Sequence, residues 1–352
     1  MKIIQIVGAR PQFVKLAPLS RAIRSKGHKE IIIHSGQHYD AQMNDVFFQE
    51  MEIPAPDYYL GVGSGTGGVQ TAEILAKVEP ILMSEKPDQV IVYGDTNTTL
   101  AGALATVKLN IKLIHVEACL RSFNRTMPEE INRIVTDHVS DILLVPTVKA
   151  LENAENEGLR QKCHLVGDIM VDSLMFGIDK AKKISQALSK LNLFPNQYFL
   201  LTLHRPYNVD DPDNLGTILR KLDSLGEIIV FPVHPRTKNM LDKISEHNFS
   251  NIKFVPPQAY LDFLMLLDNC KMILSDSGGI QKEAYILKKP CVTLRYETEW
   301  VETVESGWNL LLPPSSSNFP GSILDFNCPL EHPNIFGNDV AERILNVLQM
   351  YA

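Results

Sequence analysis

Short apolar runs alternate with longer segments of helical period along most of the chain. Ile3–Val7, Gln89–Tyr93 and Lys112–Val116 have the length and composition of buried strands, and the segments after them place apolar residues on one helical face. This alternation is typical of βαβ units, in which helices join parallel strands. Because 352 residues are many for one domain, we expect two such domains. The sequence therefore predicts an α/β fold with two Rossmann-like, doubly wound domains.

The predicted elements fall into two similar halves. We predict strands at Ile3–Val7, Glu30–His34, Gln89–Tyr93, Lys112–Val116, Asp141–Val145 and His164–Val166, and then at Phe199–Leu203, Glu227–Pro232, Ile252–Val255, Lys271–Leu274 and Cys291–Thr293. Helices are predicted at Pro11–Ser25, Val69–Ser84, Thr98–Leu109, Pro128–Val139 and Val148–Glu157, and near Pro212, Pro235, Ala259 and Gly278. A mostly helical connection over 167–195 separates the halves, and the tail over 339–352 is one amphipathic helix.

The composition argues against several classes of function. A formal net charge of −7 leaves no broad basic surface, so we expect no binding of nucleic acid. No apolar run reaches the length of a membrane span, and the opening strand has no signal-peptide pattern. The five cysteines lie far apart without a CxxC pair, which argues against a zinc site and a disulfide framework. We therefore expect a cytoplasmic protein that holds no metal.

The run from Met272 to Glu283 has the pattern of a phosphate site. An apolar strand segment is followed by Ser277, Gly278 and Gly279 and then by a helical segment. A strand, a tight turn of small residues and a helix bring free backbone N–H groups and the positive helix end to one point. Glu283 lies early in this helix, where its carboxylate can accept hydrogen bonds from a ribose diol. The alternative is an ordinary capped loop between a strand and a helix.

Two histidines follow neighbouring predicted strands of the second half. His204 and Arg205 come after one strand, and His234 comes after the next. With the turn at Ser277 they would form a cationic pocket, rich in hydrogen-bond donors, that suits a diphosphate. A metal site made by the two histidines is poorly supported, because no carboxylate or cysteine accompanies them at ligand spacing.

Three carboxylates follow strands or open a helix in the first half. Asp95 follows the strand Gln89–Tyr93, Glu117 follows Lys112–Val116, and Glu129 lies in the first turn of the next helix. Two of them have a structural alternative, since Asp95 could cap a helix and Glu129 could complement a helix dipole. Glu117, flanked by His115 and Arg121, is harder to explain in this way, because burial of ionisable groups is costly without a role. Carboxylates that lie close together push their pKa values apart, which suits paired acid and base roles.

The first strand ends in a loop that carries two cations. Arg10 can reach a phosphate with its forked donors, and Lys15 follows about one turn further along the helix. The loop lacks the GxGxxG pattern, so a dinucleotide site of the usual kind is not supported. A surface arginine at a helix start is the alternative for Arg10.

An ordered set of motifs runs along nearly the whole chain. The motifs are Gly8-Ala-Arg-Pro11, Gly94-Asp95-Thr96, His115-Val-Glu-Ala118 with Leu120-Arg121, Pro128-Glu-Glu130 with Asn132-Arg133, His204-Arg205, His234-Pro235 and Asp276-Ser-Gly-Gly-Ile-Gln281. This set resembles that of the non-hydrolysing UDP-N-acetylglucosamine 2-epimerases. The resemblance implies the GT-B architecture, in which two Rossmann-like domains face a central cleft. It implies that residues 1–168 form an N-terminal domain, which carries the acid/base residues, and that residues 169–336 form a UDP-binding domain. The C-terminal helix over 337–352 is expected to return to the first domain.

The same resemblance implies an isomerase that inverts C2 of a UDP-2-acetamido sugar. A base removes the C2 proton while UDP leaves from C1, and UDP adds back to the 2-acetamidoglycal after protonation on the opposite face, so no cofactor is expected. The implied catalytic residues are Asp95, Glu117, Glu129 and His204, and the implied substrate-binding residues are Arg10, Lys15, Arg133, Arg205, His234, Ser277, Gly278, Gly279 and Glu283. The family further implies a cytoplasmic homodimer that serves polysaccharide biosynthesis for the cell envelope.

The sequence leaves the sugar open. The opening loop, Thr298-Glu299-Trp300 and Lys282-Glu283 look most like the branch that acts on UDP-2,3-diacetamido-2,3-dideoxyglucuronate. Two other functions remain as alternatives, a GT-B glycosyltransferase with a UDP-sugar donor and a nucleotide-sugar binding protein with impaired catalysis.

Some residues depart from the family pattern. Cys119 stands where glycine is usual and could crowd the glycal, and Tyr207 and Tyr296 could reshape the sugar pocket. The segment over 37–40 differs from that of members with a second, regulatory substrate site, so we do not expect allosteric activation.

Overall fold

The structure, a computed structural model, describes residues 1–37, 48–244 and 249–352. Its contacts divide the chain into two compact units, one of Met1–Phe176 with Ile335–Ala352 and one of Gly177–Asn334. Each unit contains a parallel sheet, so the predicted α/β class with two doubly wound sheets is confirmed. The expected domain limits at 168 and 336, and the tasks assigned to the domains, remain predictions.

Thirteen strands are numbered in chain order through both units. They are β1 Lys2–Val7, β2 Lys29–His34, β3 Tyr58–Tyr59, β4 Gln89–Tyr93, β5 Lys112–Val116, β6 Ile142–Val145, β7 Cys163–Leu165, β8 Phe199–Thr202, β9 Ile229–Pro232, β10 Ile252–Val255, β11 Met272–Ser275, β12 Cys291–Thr293 and β13 Asn309–Leu311. The count covers the described residues only.

The helices are numbered in the same way over the described part of the chain. They are α1 Arg10–Ser25, α2 Gly67–Glu85, α3 Asn97–Lys108, α4 Pro128–Val139, α5 Val148–Asn156, α6 Met170–Ile184, α7 Ala187–Lys190, α8 Pro206–Val209, α9 Pro212–Asp223, α10 Pro235–Leu241, α11 Tyr260–Asn269, α12 Gly278–Ile286, α13 Val301–Glu305, α14 Phe319–Leu324 and α15 Val340–Met350. None of them is long and apolar enough to cross a membrane.

The first sheet has seven parallel strands in the order β3-β2-β1-β4-β5-β6-β7. Its central strands are apolar and buried along their length because helices cover both faces of a doubly wound sheet. The strand order reverses between β1 and β4, and loops at the carboxyl ends of strands beside such a switch point form ligand sites. Arg10 and Asp95 follow these two strands.

The C-terminal helix α15 belongs to the first unit and packs against α1. The Asp172 carboxylate accepts hydrogen bonds from the backbone N–H groups of Val340 (3.2 Å) and Ala341 (2.6 Å), which satisfies two free donors of the first helical turn. At the other end, the Gln89 amide donates to the Leu348 carbonyl at 2.9 Å. The tail is thus fixed to the unit at both ends of its helix.

The second sheet has six parallel strands in the order β10-β9-β8-β11-β12-β13, with its switch point between β8 and β11. Its core combines strand residues such as Phe231 and Leu274 with apolar residues of α9 such as Leu219. His204 follows β8 and Ser277 follows β11, so both lie at loops beside the switch point.

The sequence analysis did not predict the strands β3 and β13. They contain two and three residues and lie at sheet edges, where so short a segment shows no alternation that could reveal it. Helix α12 begins at Gly278 as predicted, but Gly278 and Gly279 are its first two residues and do not form a tight turn before it.

Candidate active site

Two of the predicted catalytic carboxylates lie at the ends of adjacent strands of the first unit. Asp95 is two residues beyond β4 and Glu117 is one residue beyond β5, and these strands pair in parallel register. Glu129 is the second residue of α4 and is exposed. The first unit therefore brings together the side chains that the sequence placed in one acid/base group.

Lys15 and Glu117 form an ion pair with largely buried side chains. Gly94, at φ +61°, provides the space for this pair. A β-carbon on Gly94 would lie 3.2 Å from Lys15 Nζ and 3.3 Å from Glu117 Oε2, and it would strain the left-handed backbone. Glycine at position 94 of the Gly94-Asp95 motif is thus favoured for steric reasons. The Lys15 ammonium binds the Glu117 carboxylate of its own unit.

Asp95 lies at the electrostatic centre of this group. Burial raises the pKa of the Asp95 carboxyl above its usual range, the positive charges of Lys15 and Arg133 oppose this rise, and the negative charges of Glu117 and Glu129 add to it. Arg133 Nη1 lies 3.1 Å from Asp95 Oδ2. A carboxyl group with a raised pKa between cations and other carboxylates can both take up and release a proton.

Glu130, not singled out by the sequence analysis, organises the loop before α4. Its buried carboxylate accepts hydrogen bonds from the backbone N–H groups of Ser122 (3.0 Å) and Phe123 (2.9 Å) and lies 3.1 Å from Arg133 Nε. Burial acts to raise the pKa of Glu130, but the hydrogen bonds from Ser122 and Phe123 and the charge of Arg133 outweigh it and lower the pKa. Glu130 is therefore ionised at neutral pH.

Arg133 is shared between Asp95 and Glu130. Its Nη2 is buried and has no hydrogen-bond partner within the described residues. A buried guanidinium nitrogen without an acceptor is energetically costly, so this donor is suited to an incoming ligand oxygen. Arg133 thus has Nη2 left for a ligand, while Nε and Nη1 are engaged with the carboxylates of Glu130 and Asp95.

Gln12 ties the loop after β1 to the loop after β4. Its side-chain oxygen accepts from the backbone N–H groups of Gly8 (2.8 Å) and Ala9 (3.1 Å), and its nitrogen donates to the Tyr93 carbonyl at 2.9 Å.

The helix that follows Asp95 is capped by Thr96, whose hydroxyl accepts from the Thr99 N–H. The alternative of Asp95 as a helix cap is therefore wrong, and its carboxylate is available for another task.

The segment that presents Glu117 has an unusual backbone. Glu117 (φ +66°) and Cys119 (φ +63°) both adopt the left-handed conformation, which costs about 1–3 kcal/mol for a residue other than glycine. Glycine, usual in the family at position 119, fits the same conformation. The Cys119 side chain packs in a buried cluster with Leu143 and Cys163. This packing argues against crowding of the glycal, and the effect of Cys119 on the sugar stays a prediction.

A buried ionic network lies beneath this segment. Asp137 of α4 is fully buried, and its carboxylate pairs with His115 Nδ1 and with Arg121 Nη1, each at 2.7 Å. Arg121 also binds Glu157 with two hydrogen bonds of 2.7 Å. The costly burial of His115 and Arg121, which the sequence suggested had a role in the site, is explained by Asp137. No pattern in the sequence indicated Asp137, because it lies inside a helix without a motif.

In the second unit, Asp276 organises the loop that carries His204 and Arg205. Asp276 is fully buried, and its carboxylate accepts from the backbone N–H groups of His204 (3.1 Å) and Arg205 (2.9 Å) and lies 2.9 Å from His204 Nδ1. Burial acts to raise the pKa of Asp276, but the hydrogen bonds from His204 and Asn208 outweigh it and lower the pKa. The exposed Nε2 edge of His204 is thus oriented by an ionised carboxylate.

The first turn of α12 accommodates a carboxylate. Ser277 is the N-cap residue, and a β-carbon on Gly278 would lie 2.0 Å from Glu299 Oε1. Glu299 in turn pairs with Arg295 at 2.9 Å. Glu299 thus approaches Gly278 closely with the end of a partly exposed side chain, and an acidic group already lies at the positive end of this helix, as expected for an anion site.

The second turn of α12 carries the remaining predicted contacts. Glu283 is partly exposed, and the Lys282 ammonium lies 4.3 Å from the ring centre of Trp300. Thr298 donates to the Gln281 side chain at 2.6 Å, which fixes the loop after β12 against the helix. The segments Lys282-Glu283 and Thr298-Glu299-Trp300, which the sequence analysis named together, thus lie side by side and are in contact.

The other predicted residues lie at the surface of their units. Arg10 is exposed at the first position of α1, and His234 is exposed directly before α10. Tyr207 and Tyr296 are exposed as well. The described residues contain no group of three or more His, Cys, Asp or Glu side chains that could hold a metal ion. The segment over 37–40, whose sequence argued against allosteric activation, lies outside the described residues except for Gln37.

Comparison with protein families identifies the chain. The family model described as UDP-N-acetylglucosamine 2-epimerase matches residues 21–349. A UDP-N-acetylglucosamine 2-epimerase homolog of Methanococcus maripaludis is 51% identical over 356 residues, which cover 99% of both chains. The UDP-2,3-diacetamido-2,3-dideoxy-D-glucuronate 2-epimerase of Pseudomonas aeruginosa is 46% identical over 320 residues, which cover 89% of this chain and 88% of the relative.

A solved structure agrees with these relatives. The crystal structure of the UDP-GlcNAc 2-epimerase of Methanocaldococcus jannaschii, in complex with UDP-GlcNAc and UDP, is 43% identical and covers 99% of this chain and 100% of its own, with a TM-score of 0.85. This likeness confirms the GT-B-like two-domain fold. With the match to the family model, these relatives show that the chain is an isomerase of the UDP-N-acetylglucosamine 2-epimerase family.

Proposed function

We propose that the protein inverts C2 of a UDP-2-acetamido sugar by eliminating UDP to a 2-acetamidoglycal and adding it back. The observation that carries this proposal is the convergence of Asp95, Glu117 and Glu129 around the cations Lys15 and Arg133. Inversion requires proton removal from one face of C2 and proton delivery to the other, so it requires more than one acid/base group.

The first unit supplies the proton chemistry. Glu117 is held by Lys15 in a defined position and is ready to act as a base, while the raised pKa of Asp95 suits a group that returns a proton. Glu129 is exposed and contributes charge to the same group. The free Nη2 of Arg133 is suited to a substrate oxygen.

The second unit binds the leaving UDP. His204, oriented by Asp276, together with Arg205 supplies donors and positive charge for the diphosphate. The first turn of α12, with Ser277, Gly278 and Gly279, adds the backbone N–H groups of a helix N-terminus. Glu283 binds the ribose, and His234, which follows β9, is a further contact to UDP. Arg10, which follows β1 in the first unit, is another.

Two sugars compete as the physiological substrate, UDP-GlcNAc with its C2 epimer and a 2,3-diacetamido-uronic acid relative. The test is incubation of the protein with each UDP-sugar in deuterated water without an acceptor, followed by NMR. We expect deuterium at C2 and the C2 epimer for one sugar or both. The sugar that is epimerised faster identifies the branch of the family. If neither sugar is epimerised or labelled at C2, the proposal is contradicted.

The same experiment separates the two alternatives. A GT-B glycosyltransferase would require an acceptor and would leave the C2 proton in place. A nucleotide-sugar binding protein would bind UDP, as calorimetry would detect, without turnover. We also propose a homodimer in the cytoplasm, and light scattering after gel filtration tests the dimer directly.

A further inference from the structure

We propose that His115 is a positioning residue held as an imidazolium, and that it fixes the two backbone segments that present Asp95 and Glu117. The positioning role rests on the proposed function of these two carboxylates. The charge of the ring rests on the geometry of the first unit alone, so the two parts can be tested separately.

Both ring nitrogens of His115 face hydrogen-bond acceptors. Nδ1 lies 2.7 Å from Asp137 Oδ1, and Nε2 lies 2.7 Å from the carbonyl oxygen of Gly94. A carbonyl oxygen and an ionised carboxylate can only accept, so each ring nitrogen must donate. The ring is fully buried, which leaves no solvent to exchange for either partner. The His115 ring therefore carries a proton on both nitrogens.

A neutral ring would require Asp137 to be protonated and to donate to Nδ1. The other partners of Asp137 argue against this, because its carboxylate also receives the Cys119 N–H at 3.1 Å and Arg121 Nη1 at 2.7 Å. Burial acts to raise the pKa of Asp137, but the charges and hydrogen bonds of His115 and Arg121 outweigh it and lower the pKa. Asp137 is thus the ionised acceptor of three donors.

The network around the ring is balanced in charge. His115 and Arg121 are the cations and Asp137 and Glu157 the anions, with His138 at the rim, 3.9 Å from Glu157. An uncompensated buried cation would be strongly destabilising, whereas a paired and fully hydrogen-bonded one is tolerated. The buried imidazolium is therefore consistent with a stable core.

The ring connects the two catalytic segments. On one side it binds the carbonyl of Gly94, whose next residue is Asp95. On the other side it orients Asp137, which holds the N–H of Cys119 two residues beyond Glu117. These segments contain left-handed residues, which persist only where the surroundings hold them. Loss of the second proton would release one of the two attachments.

The first test is nitrogen NMR of the full chain labelled with ¹⁵N-histidine. The His115 signals are assigned by their absence in His115→Asn. We expect both His115 ring nitrogens to carry a proton at pH 7 to 8, with two N–H correlations that exchange slowly. A single protonated nitrogen on His115 would overturn the inference, and this result needs no variant to be active.

The second test uses Asp137→Asn, which keeps the shape of the side chain but adds a donor opposite Arg121 and His115. We expect kcat and C2 deuterium exchange to fall about 10- to 100-fold because Glu117 is displaced. KM and UDP affinity should change less than about twofold, since UDP is assigned to the other unit. His164→Gln, at a half-buried histidine of β7, is the matched control and should keep kcat.

The outcomes separate the two proposals. If the wild-type protein epimerises no UDP-sugar, the proposed function fails while the NMR still decides the charge of His115. If the wild type is active and Asp137→Asn keeps its kcat, or loses only UDP affinity, the positioning role is overturned. Should Asp137→Asn not fold, His115→Asn is measured in its place with the same expected split between kcat and UDP affinity.

Discussion

The ammonium group of Lys15 pairs with the carboxylate of Glu117, and the two side chains are only 9% and 12% exposed. We predict that Lys15→Met lowers the free energy of unfolding by about 3 kcal/mol, because it removes the cation that balances the charge of the largely buried Glu117 carboxylate. It should also lower kcat. Urea unfolding measures the first effect, and the double variant Lys15→Met/Glu117→Gln should recover much of the lost stability. No recovery would show that the pair is not coupled.

The carboxylate of Glu283 is predicted to bind the ribose of UDP. Glu283→Ala should weaken UDP binding by about 1.5–3 kcal/mol, the usual contribution of hydrogen bonds to a charged group. The circular dichroism spectrum should not change, because Glu283 is partly exposed. Calorimetry with UDP measures the effect, with Glu297→Ala, at an exposed glutamate of the following loop, as the control. An unchanged UDP affinity of Glu283→Ala would exclude the ribose contact.

Two adjacent glycines at the start of α12 should respond to alanine in opposite ways. A β-carbon on Gly278 would meet Glu299 Oε1 at 2.0 Å, whereas one on Gly279 has no neighbour within 4 Å among the described residues. We predict that Gly278→Ala destabilises by up to about 1 kcal/mol, because the end of the flexible, 44% exposed Glu299 side chain must move away from Arg295. Gly279→Ala should be neutral or stabilising by up to about 1 kcal/mol, because alanine favours a helix over glycine.

Thermal unfolding distinguishes the two glycine variants. Gly278→Ala/Glu299→Ala should regain most of the stability that Gly278→Ala loses, since the second change removes the clashing carboxylate. Equal melting temperatures for Gly278→Ala and Gly279→Ala would contradict the close packing of Glu299.

Stability should depend on pH through His34, which is 5% exposed. Burial lowers the pKa of His34 from 6.5 to about 4, and the neutral ring accepts the Gly36 N–H at Nδ1. As pH falls below 6.5, the unfolded chain takes up a proton that the folded chain refuses until about pH 4. The contribution of His34 to the free energy of unfolding should therefore fall by about 3 kcal/mol over this range and should not fall further below it.

The His34 contribution is isolated by substitution. His34→Gln keeps an acceptor for Gly36 without a titrating ring, so the difference between its stability and that of the wild type should follow the predicted pH curve. His138→Gln, at an exposed histidine, is the control and should leave the curve unchanged. A constant difference between His34→Gln and the wild type from pH 7 to pH 4 would contradict the burial effect.

Much of the fold follows from the sequence, because buried parallel strands leave a clear pattern. Gln89–Tyr93, Lys112–Val116 and Ile252–Val255 are strands with the predicted limits. Gln89–Tyr93 and Lys112–Val116 are mostly apolar and buried, as two-sided burial requires. Ile252–Val255 differs, because it is an edge strand in which Phe254 is exposed. Strands β3 and β13 were missed because two or three edge residues contain no period.

The candidate site shows a different limit of sequence reasoning. The side chains that would touch substrate lie after strands, where a polar residue is conspicuous, and so Asp95 and Glu117 were predicted. The residues that hold them were not. Asp137 lies within α4, and its partners His115 and Arg121 are 22 and 16 residues away in sequence. Asp276 was noted as part of a motif, and its hydrogen bonds from the loop after β8 were not predicted.

Glu117 is proposed to transfer the C2 proton of a UDP-2-acetamido sugar. The most direct test compares wild type and Glu117→Gln in deuterated water, with deuterium at C2 measured by NMR and UDP affinity by calorimetry. We expect exchange and epimer formation with the wild type. Glu117→Gln should give neither, with a UDP affinity within about twofold of the wild type. Exchange at C2 by Glu117→Gln at the wild-type rate would contradict this role of Glu117.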